Sequence, residues 1–217
     1  MVTNPQNYKK FDKKGAERFA DTAEKVFAPA YPVLARLFIK RFNIISGVCI
    51  DIGSGTAALA IELARISRLT VYALDHADEI QNIAEKKVND AGMSDRVKIT
   101  RADVLKMPFA DNFADLIVSR GTVFFWNQLH KAFGEIYRVL KAGGSACIGS
   151  GFGSKELKKE ITRKMLKRNP DFISNGEKRM NPKVEKRIKD ALDKSIVPEY
   201  KVTRDDTGFW IVFTKEF

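Results

Sequence analysis

Long apolar runs are missing from this 217-residue chain. No stretch approaches the ~18 consecutive apolar residues that a bilayer-crossing helix takes, so no membrane span is expected. The opening stretch MVTNPQNYKKFDKKGAERF carries charge but no apolar centre, which argues against a secretory leader and for a cytoplasmic protein. Cysteine is scarce, with Cys49 and Cys147 each inside an apolar, strand-like run (GVCIDI and SACIGS). A disulfide framework or thiolate metal site needs clustered ligands at set spacings, and none exists here. Both thiols read as small buried hydrophobes. The two histidines, His76 and His130, have no ligand partner three or four residues on, so no metal is expected. Internal repeats and low-complexity tracts are absent too.

What is present suits a globular fold with a sizeable core: 44% of residues are hydrophobic and 30% charged. The net charge of +11 is unevenly spread. Residues 1–46 hold nine basic against four acidic residues, and residues 155–195 hold fourteen against seven. Residues 47–154 hold twelve of each. The excess therefore flanks a neutral middle. It fits either an acidic substrate or partner or lysine-rich helical faces in solvent.

Apolar runs of strand length fall at 47–52, 69–74, 97–100, 114–119 and 145–150, with helix-period segments at 57–66, 78–91 and 128–140 between them. In the last of these, Leu129, Ala132, Phe133, Ile136, Tyr137 and Leu140 mark one face. This alternation predicts an α/β fold: a Rossmann-like doubly wound sheet, mostly parallel, with helices on both faces. Two extended runs around Asp205-Asp206-Thr207-Gly208 predict a closing antiparallel hairpin. Residues 8–42 read as one or two amphipathic helices interrupted at FAPAYP. Residues 154–195 read as a helical insertion broken at RNPDF and NGEKRMNP. The organisation expected is one domain: an N-terminal helical cap (1–44), a cofactor-binding core (45–153), the insertion (154–195) and the hairpin (196–217).

The stretch CIDIGSGTAALAIELAR runs a strand into Asp51, then Gly53, Ser54 and Gly55, then a helix. Ligands of open α/β sheets bind beyond the carboxyl ends of the strands, at this first turn. Asp75 ends the second strand about 20 residues on, the usual place for a carboxylate that grips a ribose diol. A nucleoside-containing ligand follows. GSGTAA alone also satisfies the loose dinucleotide fingerprint. Asp51, however, places a carboxylate where a pyrophosphate would be repelled and a cation attracted. Asp103 ends the third strand at the same edge, and the predicted hairpin is foreign to a plain dinucleotide domain.

Taken in order, CIDIGSGTAALAIELAR, VYALD, RADVLKMPFADNFADLIVSR and AFGEIYRVLKAGG resemble a class I S-adenosylmethionine-dependent methyltransferase, in the branch of the ubiquinone/menaquinone C-methylase-like enzymes (methyltransferase type 11). The resemblance covers about residues 45–150. It implies S-adenosyl-L-methionine as cofactor, with S-adenosyl-L-homocysteine as product. It also implies that Asp51 and the backbone at Gly53, Ser54 and Gly55 hold the methionine moiety, and that Asp75 holds the ribose. His76 would border the adenine, Asp103 would accept from its amine between Ala102 and Val104, and Ser119 and Arg120 would flank the methyl. One departure stands out: Ala57 replaces a frequent third glycine.

The resemblance implies methyl transfer to a small-molecule acceptor; the basic flanks and Arg120, unless they are solvated surface, favour an anionic one. A sulfonium methyl is already activated, so no catalytic triad is required, and the catalytic candidates are Arg120 and Tyr31. Phe124, Phe125 and Trp126 are candidates for a substrate pocket, two of them expected under the next helix and one facing the site. Tyr8 is a further residue that could fold over it. The Asn/Asp-Pro-Pro-aromatic signature of enzymes that methylate adenine or glutamine amines is replaced by Ser119-Arg120-Gly121-Thr122, and the basic flanks lack interleaved aromatics. Nucleic acid is therefore not the expected partner. The alternatives are a nucleic-acid or protein methyltransferase, a nicotinamide-dependent oxidoreductase, and a non-catalytic cofactor-binding protein.

Overall fold

The computed structural model describes residues 12–217; Tyr8 lies outside them. Helix α1 (Lys13–Thr22) starts where Asp12 Oδ1 accepts the Gly15 N–H at 2.7 Å, satisfying one of the unpaired amides of the first turn. A π-helical turn (Ala23–Phe27) follows, then α2 (Ala30–Phe42), which stops at Asn43 in the left-handed region. The interruption expected at FAPAYP falls at Ala28-Pro29, between the π-helical turn and α2. Pro29 precedes the first residue of α2, and Pro32 sits in its first turn, where no amide donor is needed.

Seven strands form one sheet: β1 (Ser46–Ile52), β2 (Arg68–Asp75), β3 (Val97–Arg101), β4 (Ala114–Arg120), β5 (Leu140–Gly151), β6 (Lys201–Asp205) and β7 (Gly208–Thr214). Their order is β3-β2-β1-β4-β5-β7-β6. The first five run parallel, and β7 is antiparallel to both β5 and β6. Between them lie α3 (Ala58–Ile66), α4 (Asp78–Asp90) and α5 (Leu129–Val139); α6 (Lys155–Leu166), α7 (Phe172–Arg179) and α8 (Pro182–Asp193) form the insertion. This is the expected Rossmann-like sheet with its C-terminal hairpin.

Boundaries differ in two places. Leu140 belongs to β5 rather than to the helix before it, because it pairs with Ala114, and the strand absorbs Lys141–Gly144 as an irregularity before Ser145 pairs with Leu116. The insertion is interrupted after Leu166, as the Asn-Pro predicts, and again at Met180-Asn181 within NGEKRMNP, although NGEKR itself stays helical in α7. A single Gly176 costs about 1 kcal/mol in a helix and does not by itself end one.

Strand alternation sorts side chains to two cores. Cys49, Leu116 and Val118 join α2, α3, α4 and α6 on one face, with Tyr31, Leu34 and Phe38. Ile50, Ile52 and Ile117 join α5 and α8 on the other, with Leu129, Phe133, Ile188 and Leu192. Asp51 follows Cys49 by parity, and Arg120 follows Val118. Since Asp51 pairs with Val118, both polar residues reach the carboxyl edge of the sheet on the face that α2 covers.

Candidate functional site

The glycine corner is built from three left-handed residues in alternation: Gly53 (φ 67°), Gly55 (φ 55°) and Ala57 (φ 58°). The first two need glycine for space as well as conformation. A Cβ on Gly53 would lie 2.3 Å from Thr122 Cγ2, and one on Gly55 would lie 2.9 Å from Phe19 Cε1. The third is an alanine held in a conformation that costs an L-residue about 1–2 kcal/mol, and its methyl is fully buried. Helix α1 therefore reaches across the sheet edge and sets the Phe19 ring over the loop, a contact the sequence analysis did not anticipate.

Asp75 organises this loop. Its Oδ2 accepts the Gly55 N–H at 3.0 Å, and its Oδ1 accepts the Ala77 N–H at 3.1 Å. The Gly53 and Ser54 amides both donate to Leu74 O, at 2.7 and 3.0 Å. From the other side, Gln81 Nε2 donates to Asp75 O (2.6 Å) and Thr100 O (2.8 Å), joining β2 to β3. The half-exposed His76 places Nδ1 3.6 Å from Asp75 Oδ1.

Asp51 is 2% exposed, and among the described residues its Oδ2 has no hydrogen-bond partner. Burial, reinforced by the Asp75 charge and opposed by the Ala60 backbone N–H, pushes its carboxyl up to about 8. A buried carboxyl oxygen with nothing to bond is expensive to maintain unless a ligand supplies the partner. A cationic amine at the end of β1 is the group that would satisfy it.

At the end of β3, Val104 is buried and Ala102 half-buried, while Asp103 is exposed and turns its Oδ1 to the Leu105 N–H at 2.8 Å. Asp103 thus shapes its own turn, two residues past the end of β3. Ser119 is fully buried; its hydroxyl donates to Ile52 O at 2.8 Å and lies 2.5 Å from Thr122 Oγ1. It stitches β4 to β1, and its hydroxyl does not face the cleft.

Arg120 occupies the position next to it with different company. Its guanidinium carbon lies 4.9 Å from the Phe27 ring centroid, 5.0 Å from Phe152 and 6.0 Å from Tyr31. Its Nε donates to Gly151 O at 3.1 Å. Tyr31 senses both charges of the site: burial raises its phenol first, Arg120 lowers it, and Asp51 raises it. Asp51, Tyr31 and Arg120 are thereby brought together.

The tandem aromatics go elsewhere. Trp126 packs edge-on to Phe133 (6.1 Å) and Phe124 lies 6.3 Å from Phe209, both in the α5 and α8 core. Phe125 is 49% exposed under Arg179, 5.1 Å away. Phe124 and Trp126 pack inward, but no ring of the three faces the site as expected: Phe125 meets Arg179 of the insertion, and the rings around Arg120 are Phe27, Tyr31 and Phe152. Two cavities lie away from this edge. One of about 410 Å³ lies between α5 and α8 beside His130 and Arg187, and one of about 390 Å³ lies near Asp115 and Phe217. Among the described residues no helix is long and apolar enough to cross a membrane.

Residues 50–148 match the family model described as a methyltransferase domain. The sterol 4-C-methyltransferase of Caenorhabditis elegans is 36% identical over 101 residues, covering 46% of this chain and 30% of that protein. The ubiquinone/menaquinone biosynthesis C-methyltransferase of Blochmanniella pennsylvanica is 33% identical over 118 residues, covering 50% of this chain and 46% of that protein. The match thus spans less than half the length of these curated relatives. A crystal structure from Methanococcus maripaludis, described as a candidate S-adenosyl-L-methionine-dependent methyltransferase, is 45% identical, covers 98% of this chain and 97% of its own, and superposes with a TM-score of 0.93.

Proposed function

We propose that this chain, which belongs to the S-adenosyl-L-methionine-dependent methyltransferase family, moves the methyl group of that cofactor to a small-molecule acceptor. The observation that carries this reading is the buried Oδ2 of Asp51, unpartnered among the described residues, behind a loop of left-handed glycines. The residues present fit the cofactor. Asp51 meets its ammonium, the Gly53–Gly55 backbone lines the methionine moiety, and Asp75 accepts from the ribose hydroxyls through the lone pairs left beside its two backbone bonds. His76, Ala102, Asp103 and Val104 border the purine, and Ser119 supports the site by holding the strand ends together. The cofactor, when bound, supplies an activated methyl on sulfur with a neutral leaving group.

The protein's share is alignment and exclusion of water. The Phe19 ring on α1 covers the loop, and α2 brings Tyr31 beside Arg120. Tyr31, kept neutral by burial, donates a hydrogen bond to the acceptor and holds it in line. The same reading takes residues 12–217 as parts of one domain, with the N-terminal helices and the insertion capping the core. Two free, buried cysteines suit a reducing compartment, the cytoplasm. Calorimetric titration tests the reading: S-adenosyl-L-homocysteine should bind and NAD should not. Binding of NAD alone would refute it.

A further inference from the structure

We propose that Arg120 and its aromatic walls form a carboxylate site, so that the methyl acceptor is a small carboxylic acid held by its anionic group. This rests on the methyl-transfer reading and names the acceptor class for that same site. The argument begins with how the positive charge is kept. Arg138, elsewhere in the molecule, is neutralised by Glu135 and Asp111 at 2.7 and 2.6 Å. Among the described residues, no carboxylate makes such a pair with Arg120. The partners of Arg120 are three ring faces and one backbone carbonyl.

Aromatic faces attract a guanidinium and strip water from it without cancelling its charge. Phe27 and Phe152, stacked 26° apart with centroids 6.1 Å from each other, hold the plane between α2's approach and the end of β5. The Gly151 carbonyl takes Nε, no hydrogen bond among the described residues engages the Nη donors, and that pair matches the two oxygens of a carboxylate. Arg120 is half-buried as a residue, while burial of its guanidinium lowers its pKa, so an anion that meets it would do so with little water between them. Tyr31 adds a hydroxyl that makes no hydrogen bond within the described residues, a second donor for the same anion. One cation and one phenol suit a monoanion. By strand parity this group lies on the same face as Asp51, where the cofactor's methionine end is proposed to lie. The bound carboxylate would thereby anchor the acceptor beside the methyl.

A guanidinium there could instead serve the cofactor's own carboxylate, and the test separates the two. Benzoate and its neutral counterpart benzamide are titrated into the full chain saturated with S-adenosyl-L-homocysteine. Benzoate should bind about tenfold or more tightly than benzamide, and Arg120→Gln should remove that preference while leaving affinity for S-adenosyl-L-homocysteine within about threefold. Arg120→Lys, which keeps the charge but not the fork, should fall between. If Arg120→Gln does not fold, the benzoate preference of the unaltered protein and its loss in Tyr31→Phe decide the matter. Equal binding of benzoate and benzamide overturns the acceptor class alone. A drop of about tenfold or more in S-adenosyl-L-homocysteine affinity in Arg120→Gln also overturns it, by giving Arg120 to the cofactor. If S-adenosyl-L-homocysteine fails to bind the unaltered protein, the methyl-transfer reading falls and this proposal falls with it.

Discussion

Asp75 Oδ2 accepts a hydrogen bond from the Gly55 amide at 3.0 Å, so the proposed ribose-binding carboxylate also holds the loop on which the methionine moiety would rest. The two halves of the cofactor site are one hydrogen-bonded unit, organised before any ligand arrives.

Asp75→Ala should therefore act twice. Hydrogen bonds to a charged group are worth about 1.5–3 kcal/mol, so affinity for S-adenosyl-L-homocysteine should fall roughly 10- to 100-fold by calorimetry. The Gly55 and Ala77 amides lose their acceptor, so the melting temperature should fall as well. An unchanged dissociation constant would remove Asp75 from the site.

Asp51 makes cofactor binding proton-linked. Its carboxyl is raised from 3.8 to about 8 by burial and the Asp75 charge, so it is mostly protonated in the free protein at pH 7. Meeting an ammonium should ionise it. Titration of S-adenosyl-L-homocysteine at pH 7 in buffers of different ionisation enthalpy should show release of close to one proton, absent in Asp51→Asn.

The same shift gives the free protein a pH-dependent stability. The folded state holds the Asp51 proton more tightly than the unfolded chain, so this contribution is fully present below about pH 4 and is lost as pH rises toward 8. Asp51→Asn should remove that slope and raise the melting temperature at pH 8, while weakening cofactor binding. Equal slopes in both proteins would show that Asp51 is not the group responsible.

Ala57→Gly should be slightly stabilising. Relief of the left-handed alanine gains about 1–2 kcal/mol, against about 0.4–1 kcal/mol for the freer unfolded chain. A net gain of about 0.5 kcal/mol is expected in urea denaturation. A loss above about 1 kcal/mol would mean that packing of the buried methyl outweighs the strain.

Gly53→Ala should destabilise by about 2–4 kcal/mol, from overpacking and from a left-handed alanine. Thr122→Ser removes the methyl that the new Cβ would meet at 2.3 Å, while keeping a hydroxyl for Ser119. The double variant should recover part of the loss. No recovery would assign the whole effect to backbone conformation.

How much of this was legible beforehand depends on the range of the forces involved. Strand and helix content, the parallel sheet and the hairpin follow from local apolar periodicity and from turn residues such as Asp205–Gly208. The acids Asp51, Asp75 and Asp103 follow too, because strands that end together bring their last residues to one edge. The sequence by itself thus determined the cleft and the charges along it. Only the tertiary structure decided which side chains face those charges. Past Arg120 the chain turns at Gly121 (φ 86°), so Phe124 and Trp126 pass to the α5 core, a change of face that no periodicity records. Phe19, Phe27 and Phe152 reach the cleft from segments that share only a packing surface, and Ala57 is held left-handed by the loop around it. These placements depend on contacts between residues far apart in the chain, and such contacts leave no local pattern to read.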